Sequence, residues 1–215
     1  MRRHMQQRLV LVRHSSPLVR IDRPASEWPL SEQGVRRVRE LASVLDAERV
    51  RAVYSSPEPK ALETAMALGS LWHVPVQAID GLHEHDRSNV PLLTSVDFEH
   101  RLRESFDRPF DVVFGRESAE AARRRFSAAV MRLLMTARDD VVVVTHGTVL
   151  TLFVAAATGL APYAFWRRLD TPCAVTLTLP DLRLAGITYV TGGLGRHSGR
   201  SDVTGSSDAA DFAGE

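Results

Sequence analysis

Two short stretches of this sequence hold residues whose types could do chemistry together. Arg13-His14 closes the apolar run Leu9-Val10-Leu11-Val12, and His146-Gly147 closes Val141-Val142-Val143-Val144-Thr145. A histidine changes charge near neutral pH and can serve as nucleophile, proton carrier or hydrogen-bond donor. An arginine beside it adds a fixed charge and a planar fork that matches phosphate or carboxylate oxygens. One such pair taken alone reads as a surface arginine beside a structural histidine. Two histidines delivered by two runs of the same design point to a single place for anion binding and chemistry.

The elements that must position these residues follow from the apolar runs. Four aliphatics in a row, rich in valine and stopped at once by polar or turn residues, predict strands buried on both faces of a parallel sheet. Ligands bind at the carboxyl edge of such sheets, where both histidines would stand. Arg51–Tyr54 predicts a further strand, stopped by Ser55-Ser56-Pro57, with Ser56 placed to cap a helix and Pro57 in its first turn. Val74–Ala78 predicts an edge strand, and Ala174–Leu179 and Leu184–Val190 complete the sheet. Ser31 caps a predicted helix that carries Val35, Val38, Leu41, Ala42 and Leu45 on one face. Gly115–Ser118 opens the clearest amphipathic helix, with Ala122, Phe126, Ala129, Val130, Leu133, Leu134 and Ala137 at spacings of three and four. The expected fold class is therefore α/β, a three-layer α/β/α sandwich with a mostly parallel central sheet. Residues 1–190 are expected to form one domain. Residues 92–114, with a helix near 96–106, and the proline-bearing loop 17–29 are expected to cover the site. Residues 191–215 carry too little apolar content to pack and read as a flexible tail.

Composition narrows the function classes. A chain of 215 residues, 44% apolar and 25% charged, suits one globular α/β domain. A formal net charge of +1 gives no reason to expect nucleic acid or a membrane surface as partner. The triplet Arg123-Arg124-Arg125 reads as a solvated helix face, since the adjacent Phe126 belongs to the apolar side of the same helix and not to a nucleic-acid site. The basic N-terminus is followed by only four apolar residues, too few for a signal-peptide core, and the apolar stretch 149–160 is too short to span a bilayer. Cys173 is the single cysteine and reads as a small apolar filler. The expected compartment is the cytoplasm. His83-Glu84-His85 lacks the helical spacing of a zinc site, and Gly192-Gly193-Leu194-Gly195 lacks the helix that a dinucleotide loop needs. Among 27 basic residues there is one lysine, Lys60.

Taken in order, Arg13-His14, then Ser55-Ser56-Pro57 followed by Lys60, Ala61, Thr64 and Ala65, then Leu82-His83-Glu84, then His146-Gly147 resemble the histidine phosphatase superfamily, also called the phosphoglycerate-mutase-like family. The resemblance runs from about Arg8 to about Leu179. It implies that His14 attacks phosphorus and becomes a phosphohistidine, and that Arg13, Lys60 and His146 hold the phosphoryl oxygens with help from the backbone at Gly147. It further implies that Glu84 protonates the departing alcohol and then activates water. It implies no metal and no organic cofactor, and a small phosphorylated metabolite as substrate. Arg20, six residues past His14 where many members have asparagine, is a candidate substrate contact or else a solvated loop arginine.

The chain departs from the family at three further places. Lys60 stands where members have a second phosphate-binding arginine, keeping the charge but losing the two-pronged grip. Ser15 replaces a common glycine. The segment Asp86–Pro91 lacks the glycine and aromatic residues that usually follow the acid. The expected activity is a metal-independent phosphomonoesterase. The alternatives are a degenerate phosphate-ligand-binding or regulatory protein on the same fold, and a phosphoglycerate-type mutase, whose members are generally longer.

Overall fold

A computed structural model describes residues 6–190; the expected C-terminal tail, 191–215, lies outside the described residues. Six strands, β1 (Arg8–Arg13), β2 (Val50–Ser55), β3 (Val76–Ala78), β4 (Asp140–Thr145), β5 (Cys173–Thr178) and β6 (Arg183–Tyr189), form one sheet. Its order is β3-β2-β4-β1-β5-β6. The pairs β3–β2, β2–β4 and β4–β1 are parallel, whereas β5 and β6 run antiparallel at the other edge. The expected mostly parallel sheet forms, and its two antiparallel strands make it mixed.

The valine-rich runs behave as doubly buried strands should. Leu9 and Leu11 of β1 and Val141 and Val143 of β4 enter one core, while Val10, Val12, Val142 and Val144 enter the other. The second core is closed by α1 (Glu32–Val44) and α2 (Pro59–Trp72) through Val38, Leu41, Ala61, Ala65 and Leu68. The first is closed by α4 (Ala119–Thr136) and α5 (Gly147–Thr158), with Phe126 and Phe153 meeting edge to face at 5.8 Å. Also on that side lie α3 (Ser95–Asp107), inside the predicted covering segment, and the short α6 (Pro162–Trp166). Pro162 therefore opens a helix as well as ending the preceding apolar stretch, occupying a first-turn position where its missing N–H costs nothing.

One helix start differs from expectation. Ser56 does not cap α2, which begins two residues later with Pro59 in its first turn and no side-chain cap. The Ser56 hydroxyl is engaged instead by His146 Nε2 at 2.7 Å and by the Glu58 N–H at 3.2 Å. Ser31 caps α1 as expected, accepting from the Gly34 N–H at 3.0 Å.

The start of α1 also fixes the loop that follows His14. The Ser31 N–H donates to Ser16 O at 3.0 Å, and Ser15 Oγ donates to Gly34 O at 2.8 Å. A Cβ at Gly34 would stand 2.3 Å from Ser16 O, so only glycine admits this approach. A Gly34→Ala variant should lose about 1–3 kcal/mol of unfolding free energy, the usual cost of forcing an extra carbon into a packed site. Urea unfolding would read the loss, and an unchanged midpoint would mean that the loop yields freely.

Candidate active site

The register of the two central strands assembles the site. Arg13 pairs with Thr145, and the His14 N–H donates to Thr145 O at 2.9 Å, so β1 and β4 deliver their histidines at the same level. The two imidazoles meet edge to face with centroids 5.1 Å apart. His14 is 9% exposed and His146 fully buried.

His14 Nδ1 lies 2.8 Å from Ser15 O, and a carbonyl can only accept, so Nδ1 carries the proton. Nε2 is left with its lone pair. Burial lowers the pKa of His14 well below the ordinary 6.5, and His146, Lys60 and Arg13 push it the same way. The ring is neutral through the physiological range, the form in which nitrogen is nucleophilic. Burial likewise lowers the pKa of His146, and Lys60 adds to the effect.

Arg13 reaches across the edge of the sheet, donating from Nη1 to Leu169 O at 2.8 Å. Its Nε is buried with no acceptor among the described residues. The guanidinium lies against Gly147, where a Cβ would come within 3.1 Å of Nε. Gly147 thus lets a cation stand at the opening turn of α5, beside the backbone N–H groups that favour anions.

Lys60 projects from the first turn of α2 and is almost entirely enclosed. Its ammonium donates to Ala25 O at 2.7 Å and to Glu58 Oε2 at 2.5 Å. Glu58, which the sequence reading passed over, accepts from the Glu84 N–H at 2.8 Å through Oε1 and stands 3.5 Å from His146 Nε2. Its only signal in the sequence is an acidic residue two places before the one lysine.

Glu84 stands in the site, its carboxylate held at several points. Its carboxylate accepts the N–H groups of His85 at 2.8 Å, Thr148 at 3.1 Å and Val149 at 3.2 Å, and Arg87 lies 3.5 Å away. Burial alone would raise its pKa, but Arg87, His146 and the backbone donors outweigh burial and hold it far below the usual carboxylate range. It is a fixed anion on the N-terminus of α5. Arg87 also donates to Thr148 Oγ1 at 3.3 Å and lies over the rings of Phe98 and Phe114 at 4.9 and 5.7 Å, joining α3 to the site.

Of two further arginines, one matches an expected alternative and one departs from expectation. Arg20 is half exposed and pairs with Asp22 at 3.3 Å; no contact joins it to the histidines among the described residues. Arg125, read as part of a solvated face, is a clamp. It donates to Gly81 O, His83 O and Glu84 O at 2.9, 2.8 and 3.0 Å and to Glu117 Oε1 at 2.5 Å, while Glu117 accepts the Asp86 N–H at 3.0 Å. No group of three or more potential metal-ligating side chains occurs among the described residues, and none of their helices is long and apolar enough to cross a membrane.

The sequence profile of the Histidine phosphatase superfamily (branch 1) matches residues 9–183. Among solved structures, a mycobacterial glucosyl-3-phosphoglycerate phosphatase is 23% identical, with a TM-score of 0.64 over 81% of this chain and 91% of its own. A phosphoserine phosphatase from Entamoeba histolytica, solved with phosphoserine, is 17% identical, with a TM-score of 0.70 over 87% of this chain and 100% of its own. The alpha-ribazole phosphatase of Shigella flexneri is 21% identical, with a TM-score of 0.66 over 89% and 100%. These structures share the fold. No curated protein sequence matches the chain.

Two measurements follow from the geometry. The folded pKa of both site histidines is lowered, so the unfolded chain binds protons that the folded one refuses as pH falls below about 6.5. Unfolding free energy should be fully held above that pH and decline below it, and His146→Gln should flatten the decline in urea titrations run at several pH values. Arg125→Met should cost about 1–3 kcal/mol by stranding carbonyls. It should also speed hydrogen exchange at the amides of Glu84 and Asp86; unchanged exchange there would deny the clamp.

Proposed function

The chain belongs to branch 1 of the histidine phosphatase superfamily, and on that footing we propose that it hydrolyses phosphomonoesters of small metabolites through a phosphohistidine on His14. The observation that carries this reading is the hydrogen bond from His14 Nδ1 to Ser15 O, which leaves a neutral ring with its Nε2 lone pair free. Attack by Nε2 on phosphorus divides the displacement into two easier steps. Arg13 and Lys60 neutralise the non-bridging oxygens, and His146 and the opening turn of α5 around Gly147 add hydrogen-bond donors to the same charge. This chemistry requires no cofactor. That related folds are phosphatases of small phosphorylated compounds, among them one solved with phosphoserine and again with 3-phosphoglyceric acid, supports the substrate class.

A second reading, a phosphate-ligand-binding protein that does not turn over, is favoured by one observation: Lys60 is already engaged by Glu58 at 2.5 Å. Hydrolysis separates the two. The native chain should cleave p-nitrophenyl phosphate without added metal, and His14→Ala should lower the rate by about a hundredfold or more. Because His14 titrates well below 6.5, kcat/KM should not halve near that pH as an ordinary histidine would require. Phosphate binding with no turnover of p-nitrophenyl phosphate or of a panel of phosphorylated metabolites would establish the binding protein instead.

A further inference from the structure

We propose that Arg87 reads a second negative charge on the substrate, so that the preferred ester is the phosphate of an alcohol bearing a carboxylate one or two carbons from the ester oxygen. The inference rests on the phosphatase reading above, with Glu84 as the proton donor that the sequence resemblance implies. Whatever oxygen takes that proton must come within about 2.6–3.2 Å of the Glu84 carboxyl. Arg87 Nη2 lies 3.5 Å from Glu84 Oε2, so the substituents of the departing alcohol emerge beside the guanidinium. The side chains of Arg87 and Glu84 are 20% and 14% exposed, whereas Thr148, which both contact, is closed to solvent. The open side of the pair is the side by which the alcohol leaves.

Arg87 is held in the manner of a cation with donors to spare. The rings of Phe98 and Phe114, at 4.9 and 5.7 Å, take the guanidinium by its face and leave its edge of N–H groups open. Along that edge Nη1 meets Thr148 Oγ1 at 3.3 Å and Nη2 meets Glu84 Oε2 at 3.5 Å. Both are long against the about 2.7–2.9 Å of a charge-assisted bond, and a guanidinium carries five donors in all. Arg125, by contrast, makes four bonds of 3.0 Å or shorter. Phe98 also continues the wall of the mouth: its ring lies 6.2 Å from that of Trp166, whose indole nitrogen stands 3.4 Å from where a Cβ on Gly147 would be. Helices α3 and α6 thus border the opening turn of α5, and among the described residues the one carboxylate paired with Arg87 is Glu84.

That single counter-ion is the group the reaction must protonate. When Glu84 carries a proton, the guanidinium loses its partner in a place largely closed to water, which is costly. A carboxylate on the alcohol restores the balance by accepting from the edge of Arg87. The two events favour each other: substrate charge at Arg87 lets Glu84 take a proton from solvent, and a neutral Glu84 leaves Arg87 to the substrate. The titratable groups that feel Arg87 are Glu84 and His85 on its own loop and His146 at the start of α5. In the transfer His14 Nε2 forms the P–N bond as the ester P–O bond breaks, and the departing oxygen keeps the electron pair and takes the Glu84 proton. Water then forms a P–O bond and returns a proton to Glu84, the P–N electrons go back to Nε2, and inorganic phosphate departs. An alcohol without a charge offers Arg87 nothing in exchange for Glu84.

Matched esters provide the test. Phosphoglycolate against ethyl phosphate, and 3-phosphoglycerate against glycerol 3-phosphate, differ in the carboxylate and in little else. The native chain should favour the carboxylate member of at least one pair by about 10–100-fold in kcat/KM, the worth of a charged hydrogen bond. Arg87→Met, which keeps an apolar side chain against Phe98 and Phe114, should bring that ratio close to one, and Arg87→Lys should keep part of it. A native ratio near one in both pairs, an Arg87→Met loss equal on both members of the preferred pair, or turnover of p-nitrophenyl phosphate with none of the four esters would overturn the assignment. The underlying reading fails separately: no turnover of p-nitrophenyl phosphate, or full turnover in His14→Ala, would remove the phosphohistidine itself, whatever the Arg87 variants do.

Discussion

The parallel pairing of β1 with β4 is the constraint on which the site depends. With Arg13 opposite Thr145, both strands stop at one level, and the His14 N–H spends itself on Thr145 O before the chain turns away. A slip of one residue would send Leu9 and Leu11 to the face of Val10 and Val12 and carry the histidines apart. Both faces of these strands are buried, so the two hydrophobic cores enforce the register from either side. The geometry of the chemistry is thus held by apolar packing far larger than any polar contact in the pocket.

Enclosing that pocket decides the charges inside it. Two imidazoles at 5.1 Å, with Lys60 and Arg13 nearby, cannot both be cationic in a buried place, so desolvation and repulsion act together to keep them neutral. The cost is acid sensitivity of the fold; the gain is an imidazole nitrogen that stays unprotonated. The same α5 N-terminus that suits a phosphoryl group also draws Glu84, which satisfies two N–H groups of its first turn.

Much of this was legible in the sequence because it is written locally. The valine runs, the Ser31 cap and the apolar spacing of α4 each lie within a few residues, and the two histidines are read from where their strands stop. What stayed hidden is carried by contacts between distant segments. Ser56 looked like a helix cap, but a histidine ninety residues on takes its hydroxyl. Arg125 sits in a run of three arginines with nothing local to separate it from its neighbours. Only its reach to Gly81, His83 and Glu84, more than forty residues earlier, makes it a clamp. Arg20 was left between a substrate contact and a solvated loop arginine by its spacing from His14, and it stands exposed beside Asp22.

Lys60 shows how a departure can be misjudged when read one residue at a time. Beside an arginine-rich composition it looks like a weakened phosphate grip, and the sequence offers no reason for it. In the fold it is half of a pair with Glu58, and that pair ties the start of α2 to the loop at Ala25, to His146 and to the backbone of Glu84. An enclosed ammonium without a counter-ion would be costly, and an enclosed carboxylate without a cation equally so. Each therefore accounts for the other, and replacing either alone leaves a charge in a place that water cannot readily reach. Lys60 is better understood as half of an enclosed ion pair with Glu58 than as a phosphate grip read alone.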